Sequence, residues 1–290
     1  MVSLSTKMNM ALLRPPSVVG RIARHAMSRP GPATEICIPG TRILLTGASS
    51  GIGAAAAQKL AAAGAELLLV ARREPELKAL QETIAASGGT AHIFCADLSI
   101  ADDRTQLISE VLHKYGAPDV LVNNAARSIR RDISDAVERL HDYERTMALN
   151  YFGPVHLTLG FLPGMQARGG GHIVNVSTTA ALLDMAPKYS AYAASKRALG
   201  VFGKTLAIEM RRNNIDVTTL YYPLVRTPMA APTAEYANRP SLSAQEAAEW
   251  IVHAVDQRPA EVLPRAARGY RVVTALLPET LLGHAMAQGT

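Results

Sequence analysis

Between residues 41 and 262, short runs of apolar residues alternate with longer amphipathic or alanine-rich stretches. Ile43 to Leu45 form the first run, ELLLV at 66–70 the second, Ala91 to Cys95 the third, VLVNNA at 120–125 the fourth and HIVNVS at 172–177 the fifth. A sixth strand is expected to end in YYP at Pro223. Runs this short and this continuously apolar predict strands covered on both faces, as in a parallel sheet. The intervening stretches predict helices: one ending at Gly64, one from about Pro75 to Ala86, and a tract from about Asp135 to Arg168 that Pro163 and Gly164 should break. A further helix should carry SAYAASKRAL at 190–199, and another should start at Ser243 with Glu246 as a capping box and run to about Gln257. Strand and helix in strict alternation predict an α/β fold with a doubly wound parallel sheet in one domain.

The ends depart from this rhythm. Residues 1–40 form a basic extension, in which Lys7, Arg14, Arg21, Arg24 and Arg29 precede any acid, and residues 263–290 are expected to form a helical, apolar tail with Leu276, Leu277, Leu281 and Leu282. The whole chain carries a net charge of +6; the first 34 residues hold five of those charges and no acid, so the rest is nearly neutral. That distribution argues against a nucleic-acid surface. The arm lacks a secretory apolar core; a flexible tail, an acid-poor targeting segment and a membrane-surface helix all fit it. The tail could bury its apolar face in the core, against a second copy or on a membrane. Thr146 to Ala167 carries no formal charge, but Asn150, Gly153, Pro154, His156 and Pro163 make it a buried core segment rather than a membrane span. Two cysteines, Cys37 and Cys95, do not make a disulfide framework, which suits a reduced, cytoplasmic setting with membrane-surface association left open.

Candidate chemistry gathers at the expected strand ends. Gly47, Gly51 and Gly53 lie between the first strand and an alanine-rich helix, where backbone N–H groups and the helix dipole can cradle a pyrophosphate. About 20 residues on, where a ribose would be read, stand Arg72 and Arg73 rather than a carboxylate. Arginines suit a 2′-phosphate, which favours NADP(H) over NAD(H). Ser177 ends the fifth strand, and Tyr192 and Lys196 are four residues apart, on one face of a helix. A phenol is a weak acid at neutral pH unless a cation stabilises its anion; Lys196 is placed to be that cation.

These pieces, in this order, resemble the short-chain dehydrogenase/reductases over roughly residues 40 to 262: TGASSGIG at Thr46 to Gly53, Asp97, NNA at Asn123 to Ala125, Asn150, Ser177, and YAASK at Tyr192 to Lys196. The resemblance implies a Rossmann fold and carbonyl–alcohol interconversion with NADP(H). It implies that Thr46, Gly47, Ser49, Ser50, Gly51, Ile52, Gly53, Arg72, Arg73, Asp97, Leu98, Asn124, Pro223 and Thr227 contact the cofactor together with Tyr192 and Lys196. Within that set Asp97 would bond the adenine amino group and Thr227 the carboxamide, while Asn123 would stabilise the central strands. It further implies that Ser177 holds the substrate oxygen, Tyr192 exchanges a proton with it, Lys196 binds the nicotinamide ribose and lowers the Tyr192 pKa, and Asn150 positions a relay water. No metal site is expected. Homodimers or homotetramers are the expected assembly. Two departures bear on the pocket: Ala126 replaces the glycine of NNAG, and Leu224 replaces the glycine usually following Pro223.

A non-catalytic NADP(H)-binding regulator of the same fold is the alternative; such proteins typically lose the tyrosine and lysine that this chain keeps. The segment after Ser177, with Ala180, Ala181, Leu182, Leu183 and Met185, and the loop after Thr227, with Met229, Ala230, Ala231 and Tyr236, offer apolar surface and no clustered cation. They predict a lipophilic ketone, aldehyde or acyl substrate, with the loop after Thr227 as a lid.

Overall fold

The computed structural model describes residues 38–183, 185–265 and 267. The basic arm, Cys37, Asp184 and nearly all of the apolar tail lie outside the described residues. Six strands follow in sequence: β1 (Arg42–Thr46), β2 (Glu66–Ala71), β3 (Thr90–Cys95), β4 (Val120–Asn123), β5 (Gly171–Thr178) and β6 (Ile215–Tyr222). A short pair, β7 (Val225–Arg226) with β8 (Leu242–Ser243), stands apart, and β9 (Glu261–Val262) joins the main sheet. The main sheet is parallel throughout, in the order β3-β2-β1-β4-β5-β6-β9. Its order reverses between β1 and β4, which opens a crevice at their carboxyl ends.

Side chains alternate across this sheet. Ile43 and Leu45 of β1, Leu67 and Leu69 of β2 and Val120 and Val122 of β4 face one side, where they meet α1 (Gly51–Ala62), α2 (Glu74–Ala86) and the last helix. Leu44, Leu68 and Leu121 face the other, against α3 (Ala101–Tyr115) and two later helices. Both faces are therefore dry, which is why the strands read as unbroken apolar runs. The packed unit takes in Ile38 at one end and Leu263 at the other, both buried.

The tract from 135 to 168 departs from expectation. It holds α4 (Leu140–Met147), a single wide π turn at Ala148–Phe152 that carries Asn150, and α5 (Gly153–Ala167), which runs straight through Pro163. Leu157, Phe161 and Met165 of α5 are fully buried. A proline inside a helix costs one backbone bond. Here that bond would run to Leu159, an exposed residue whose carbonyl water can satisfy. Gly160 and Gly164 are packing contacts rather than breakers. A Cβ on Gly164 would come within 2.6 Å of the Ala117 Cβ, and one on Gly160 within 2.6 Å of Ile108 Cδ1. Their bare surfaces let α5 lie close on α3 and the turn that follows it.

The catalytic-type motif lies on α6 (Ser190–Glu209), and α7 (Ala244–Gln257) begins with the expected capping box: Ser243 Oγ accepts from the Glu246 N–H while the Glu246 carboxylate accepts from the Ser243 N–H. Phe152, Leu159 and Val201, on and beside α5 and α6, are exposed apolar side chains. No helix among the described residues is long and apolar enough to cross a membrane.

The contact at Gly164 is testable. Gly164→Val should lower stability by about 1–3 kcal/mol through overpacking against Ala117, read by denaturant unfolding. An unchanged midpoint would show that α3 and α5 can part at no cost.

Candidate active site

The glycine turn between β1 and α1 hangs from the end of β2, because the N–H groups of Gly47 and Ala48 both donate to the Val70 carbonyl, at 2.8 and 3.2 Å. Gly47 has φ +68° and Gly51 φ +57°, values that side chains rarely adopt. A Cβ on Gly53 would lie 2.1 Å from the Gly47 carbonyl oxygen, so that glycine sets how closely α1 meets the turn. The start of α1 has no side-chain cap on Ser50, in contrast to the fully capped α7. Its free N–H groups and dipole therefore face the crevice with room for an anion. Asn124 braces the turn by donating to the carbonyls of Thr46 and Gly47 at 2.9 and 3.3 Å.

Because the turn is tied to β2, the residues following β2 stand beside it. Arg73 donates to Ser49 Oγ at 3.1 Å and pairs with Glu76; Arg72 reaches Asp97 at 3.3 Å and is more than half exposed. Burial acts to raise the Asp97 carboxyl, but hydrogen bonds from Ser99 and the charge of Arg72 outweigh it and hold it below its ordinary range. Asp97 thus stays anionic, with Arg72 as its partner. Both arginines line the crevice.

On the other side of the crevice, β5 and α6 bring Ser177, Tyr192 and Lys196 together. Ser177 is 2 % exposed, and its Oγ lies 3.5 Å from the Lys196 carbonyl. The Lys196 ammonium is buried and donates to the Val176 carbonyl at 2.7 Å; burial pulls its pKa down to about 7. The Tyr192 phenol is pushed up to about 12 by burial, with a hydrogen bond from Thr178 opposing the rise. This corrects the expected tuning. Lys196 is directed at a strand carbonyl, and the phenol in this arrangement is raised rather than lowered. Asn150 is fully buried; it donates to the Arg127 carbonyl (2.8 Å) and to Ser195 Oγ (3.0 Å) and accepts from the Arg127 N–H (2.8 Å). Both of its donors are spent on holding the loop after β4 against α6.

The cleft encloses about 1350 Å³ and brings together Gly47, Ser49, Ser50, Gly51, Ile52, Arg72, Arg73, Asp97, Leu98, Asn124, Ser177, Tyr192, Lys196, Pro223 and Thr227. Of the residues given a cofactor, structural or catalytic role from the sequence, four are not on its wall. Thr46 is buried, donating to Val122 and accepting from the N–H groups of Asn124 and Ala125. Gly53 sits beneath the turn, Asn123 bonds Asn175 at 3.0 Å inside the sheet, and Asn150 lies behind the loop it anchors. Ala180, Leu183, Met185, Met229, Ala230 and Tyr236 line the cleft as expected; Ala181, Leu182 and Ala231 do not. Leu224 and Ala126, the two departures, both face it. Sequence reasoning missed Thr178 beside the phenol and the cations Arg130 and Arg239 on the wall. The named segments were expected to hold no clustered cation, but Arg239 at the end of the loop after Thr227 joins Arg130 of the loop after β4 on the wall. No group of three or more potential metal ligands occurs among the described residues.

A family model for short chain dehydrogenases matches residues 41–238. The chain belongs to the short-chain dehydrogenase family. Family membership is consistent with the crevice at the switch point and makes the chain an oxidoreductase. It is 42% identical over 275 residues to a fatty acyl-CoA reductase of Mycobacterium tuberculosis, covering 95% of this chain and 92% of the relative. A fatty acyl-CoA reductase of Acinetobacter baylyi is 44% identical over 242 residues, 83% of this chain and 82% of that one. Among solved structures, a metagenomic short-chain oxidoreductase in complex with NADP superposes with a TM-score of 0.68 at 29% identity, over 79% of this chain and 97% of the other.

The buried lysine of this dehydrogenase fold has a thermodynamic signature. With a folded pKa near 7 against an ordinary 10.5, the unfolded chain binds the extra proton between those values, so the contribution of Lys196 to stability rises with pH across that window. From pH 7 to 9, below the titration of either tyrosine state, wild type should gain stability relative to Lys196→Met. Parallel profiles in denaturant unfolding would mean that Lys196 is not held in a low-dielectric site.

Proposed function

We propose that the protein is an NADP(H)-dependent reductase of lipophilic carbonyl compounds, most specifically of long-chain acyl thioesters. The observation that carries this reading is the apolar wall that leads away from Ser177 and Tyr192, formed by Leu183, Met185, Leu224, Met229 and Tyr236. A methylene chain on such a wall gains about 0.8 kcal/mol per buried CH₂. The relatives named as fatty acyl-CoA reductases support the same substrate class.

The residues present fit a dinucleotide phosphate. The positive-φ glycines leave a cradle that a Cβ would distort, α1 is uncapped toward it, and Arg72 and Arg73 stand where a 2′-phosphate would be met. NADP(H), when bound, supplies the hydride. Ser177 donates a hydrogen bond to the substrate carbonyl oxygen, and Tyr192 gives that oxygen a proton as negative charge gathers on it. A phenol held above its ordinary pKa keeps its proton until such an oxyanion forms beside it. Lys196, buried with a pKa near 7, is poised to carry a proton to the site or to bring a cation to the phenolate. For a thioester the balance is one new C–H bond, one broken C–S bond, the oxygen's proton given back to Tyr192 as the C=O re-forms, and one proton delivered to sulfur, giving an aldehyde and a thiol. Asn150 positions the Arg127 loop and α6 rather than touching substrate. Self-association as a dimer or tetramer belongs to the same proposal, supported by the exposed Phe152, Leu159 and Val201.

Steady-state rates along a series of acyl-CoA esters of increasing chain length, each with NADPH and with NADH, test this reading. kcat/KM should climb with chain length until the wall is filled, and should favour NADPH at least about tenfold, a gap that Arg72→Ala with Arg73→Ala closes. A flat or falling trend with chain length would remove the lipophilic substrate, and equal use of the two cofactors would remove the arginine assignment.

A further inference from the structure

The substrate end of the cleft has a rim that the proposed reaction does not use. Five arginines lie in the segment from 127 to 145. Three of them, Arg131, Arg139 and Arg145, are consumed by the buried carboxylate of Asp142 at 3.2, 3.0 and 2.8 Å, with His141 at 3.3 Å. That knot fixes the loop after β4, and Arg130 turns instead to the cleft wall. There it pairs with Glu235 at 3.1 Å, across from the loop that follows β7. Arg239, four residues further along that loop, also lines the cleft. Lys188 is not on the cleft wall itself but stands beside it, between the lining residues Pro187 and Tyr189: its carbonyl accepts from the Arg131 N–H at 2.8 Å, its ammonium lies 3.8 Å from Asp132, and its φ is +66°. A lysine kept in that strained conformation, in the turn entering the Tyr192 helix, marks a place where position matters more than backbone comfort.

We propose that Arg130 and Arg239, with the charge of Lys188 beside them, form a subsite for the phosphate groups of a substrate's carrier arm, with Glu235 holding Arg130 in place until a phosphate takes over the guanidinium. This rests on the thioester reading, and it names the part of the substrate that the apolar wall cannot recognise. Two cations on the wall and Lys188 beside it stand against the two carboxylates of Glu235 and Asp132, so the rim keeps an excess positive charge. Glu235 and Tyr236 report the crowding. Its own backbone N–H, then the charge of Arg130, and further down Lys188 hold the Glu235 carboxyl below its ordinary range. Burial raises the Tyr236 phenol while the charges of Arg130 and Arg239 both act to lower it, which places both guanidinium groups near that ring. Arg130 and Lys188 are each about one-third exposed, open enough to meet a ligand and shielded enough for charge to count. The arginines of the cofactor side stand at the end of β2, on the other flank of the switch point, so the two cationic groups serve different ends of the cleft. Guanidinium groups match phosphate oxygens bidentately, and a loop-borne ion pair is a weak competitor for one.

The test is calorimetric titration of coenzyme A itself onto the full chain with the cofactor site saturated by NADP⁺, so that the adenine nucleotide cannot bind there. Wild type should bind, and Arg130→Ala with Arg239→Ala should weaken binding at least about tenfold without changing NADPH affinity, which checks the fold. Glu235→Gln, which frees Arg130, should tighten binding; loss of a merely structural ion pair would not. Pantetheine, lacking phosphate, should bind all three proteins alike. Parallel titration with 4′-phosphopantetheine separates the sources: a loss in the double variant equal to that for coenzyme A assigns the contact to the arm phosphate shared with carrier proteins, and a loss confined to coenzyme A assigns it to the nucleotide phosphates. Wild type that fails to bind coenzyme A, a double variant that binds as tightly, or a Glu235→Gln protein that binds more weakly would each overturn the subsite. Coenzyme A binding with these variant effects but no thioester turnover would leave the subsite standing and remove the reaction proposed above.

Discussion

Burial of Lys196 is the constraint from which the site follows. An ammonium 1 % exposed needs a fixed acceptor, and the Val176 carbonyl at 2.7 Å is that acceptor. The bond ties α6 to the carboxyl end of β5 at one defined height. Tyr192, one turn earlier on the same helix face, then comes to the mouth of the crevice, and Ser177, next along β5, comes level with it. Gly203, lower on α6, would place a Cβ 3.0 Å from Asn175 Nδ2, so the helix also lies close to the strand further down. The cost of the buried cation is carried by a sheet whose two faces are filled with aliphatic side chains.

The remaining parts are set by topology rather than by local sequence. β1 lies between β2 and β4, so the glycine turn, the arginines after β2 and the Asn124 brace meet at one edge of the crevice. β5 and β6 supply the other edge. The loops after β4 and β7 close over it, joined by the Arg130–Glu235 pair. The ends of five parallel strands thus gather a glycine turn, the Ser177–Tyr192–Lys196 group and an apolar wall with a charged rim around one cleft.

Much of this was legible in the sequence for identifiable reasons. Strands covered on both faces leave continuous apolar runs, so β1 to β5 were visible within a residue or two, and the Ser243–Glu246 box announced α7. Pro163 and Gly164 misled because helix breakers and close-packing residues look alike in one dimension; only the approach of Ala117 separates them. Spacing put Tyr192 and Lys196 on one face but could not say where the lysine would point, and a strand carbonyl from a distant segment claimed it. Thr46 and Asn150 read as site residues, yet their polar atoms are spent inside the scaffold. Arg130 and Arg239 were invisible as a pair, since they belong to loops far apart in sequence that meet only after the sheet has formed.

The central claim is that Tyr192 is the proton donor at a site whose cofactor cradle is independent of it. Single-turnover and steady-state measurements on Tyr192→Phe with NADPH and a long-chain acyl-CoA address it directly. The ring still packs while the exchangeable proton is gone, so kcat should fall by at least about a hundredfold and the NADPH dissociation constant should change little. A variant that turns over at near wild-type rate, or that loses NADPH binding and turnover together, would contradict the account.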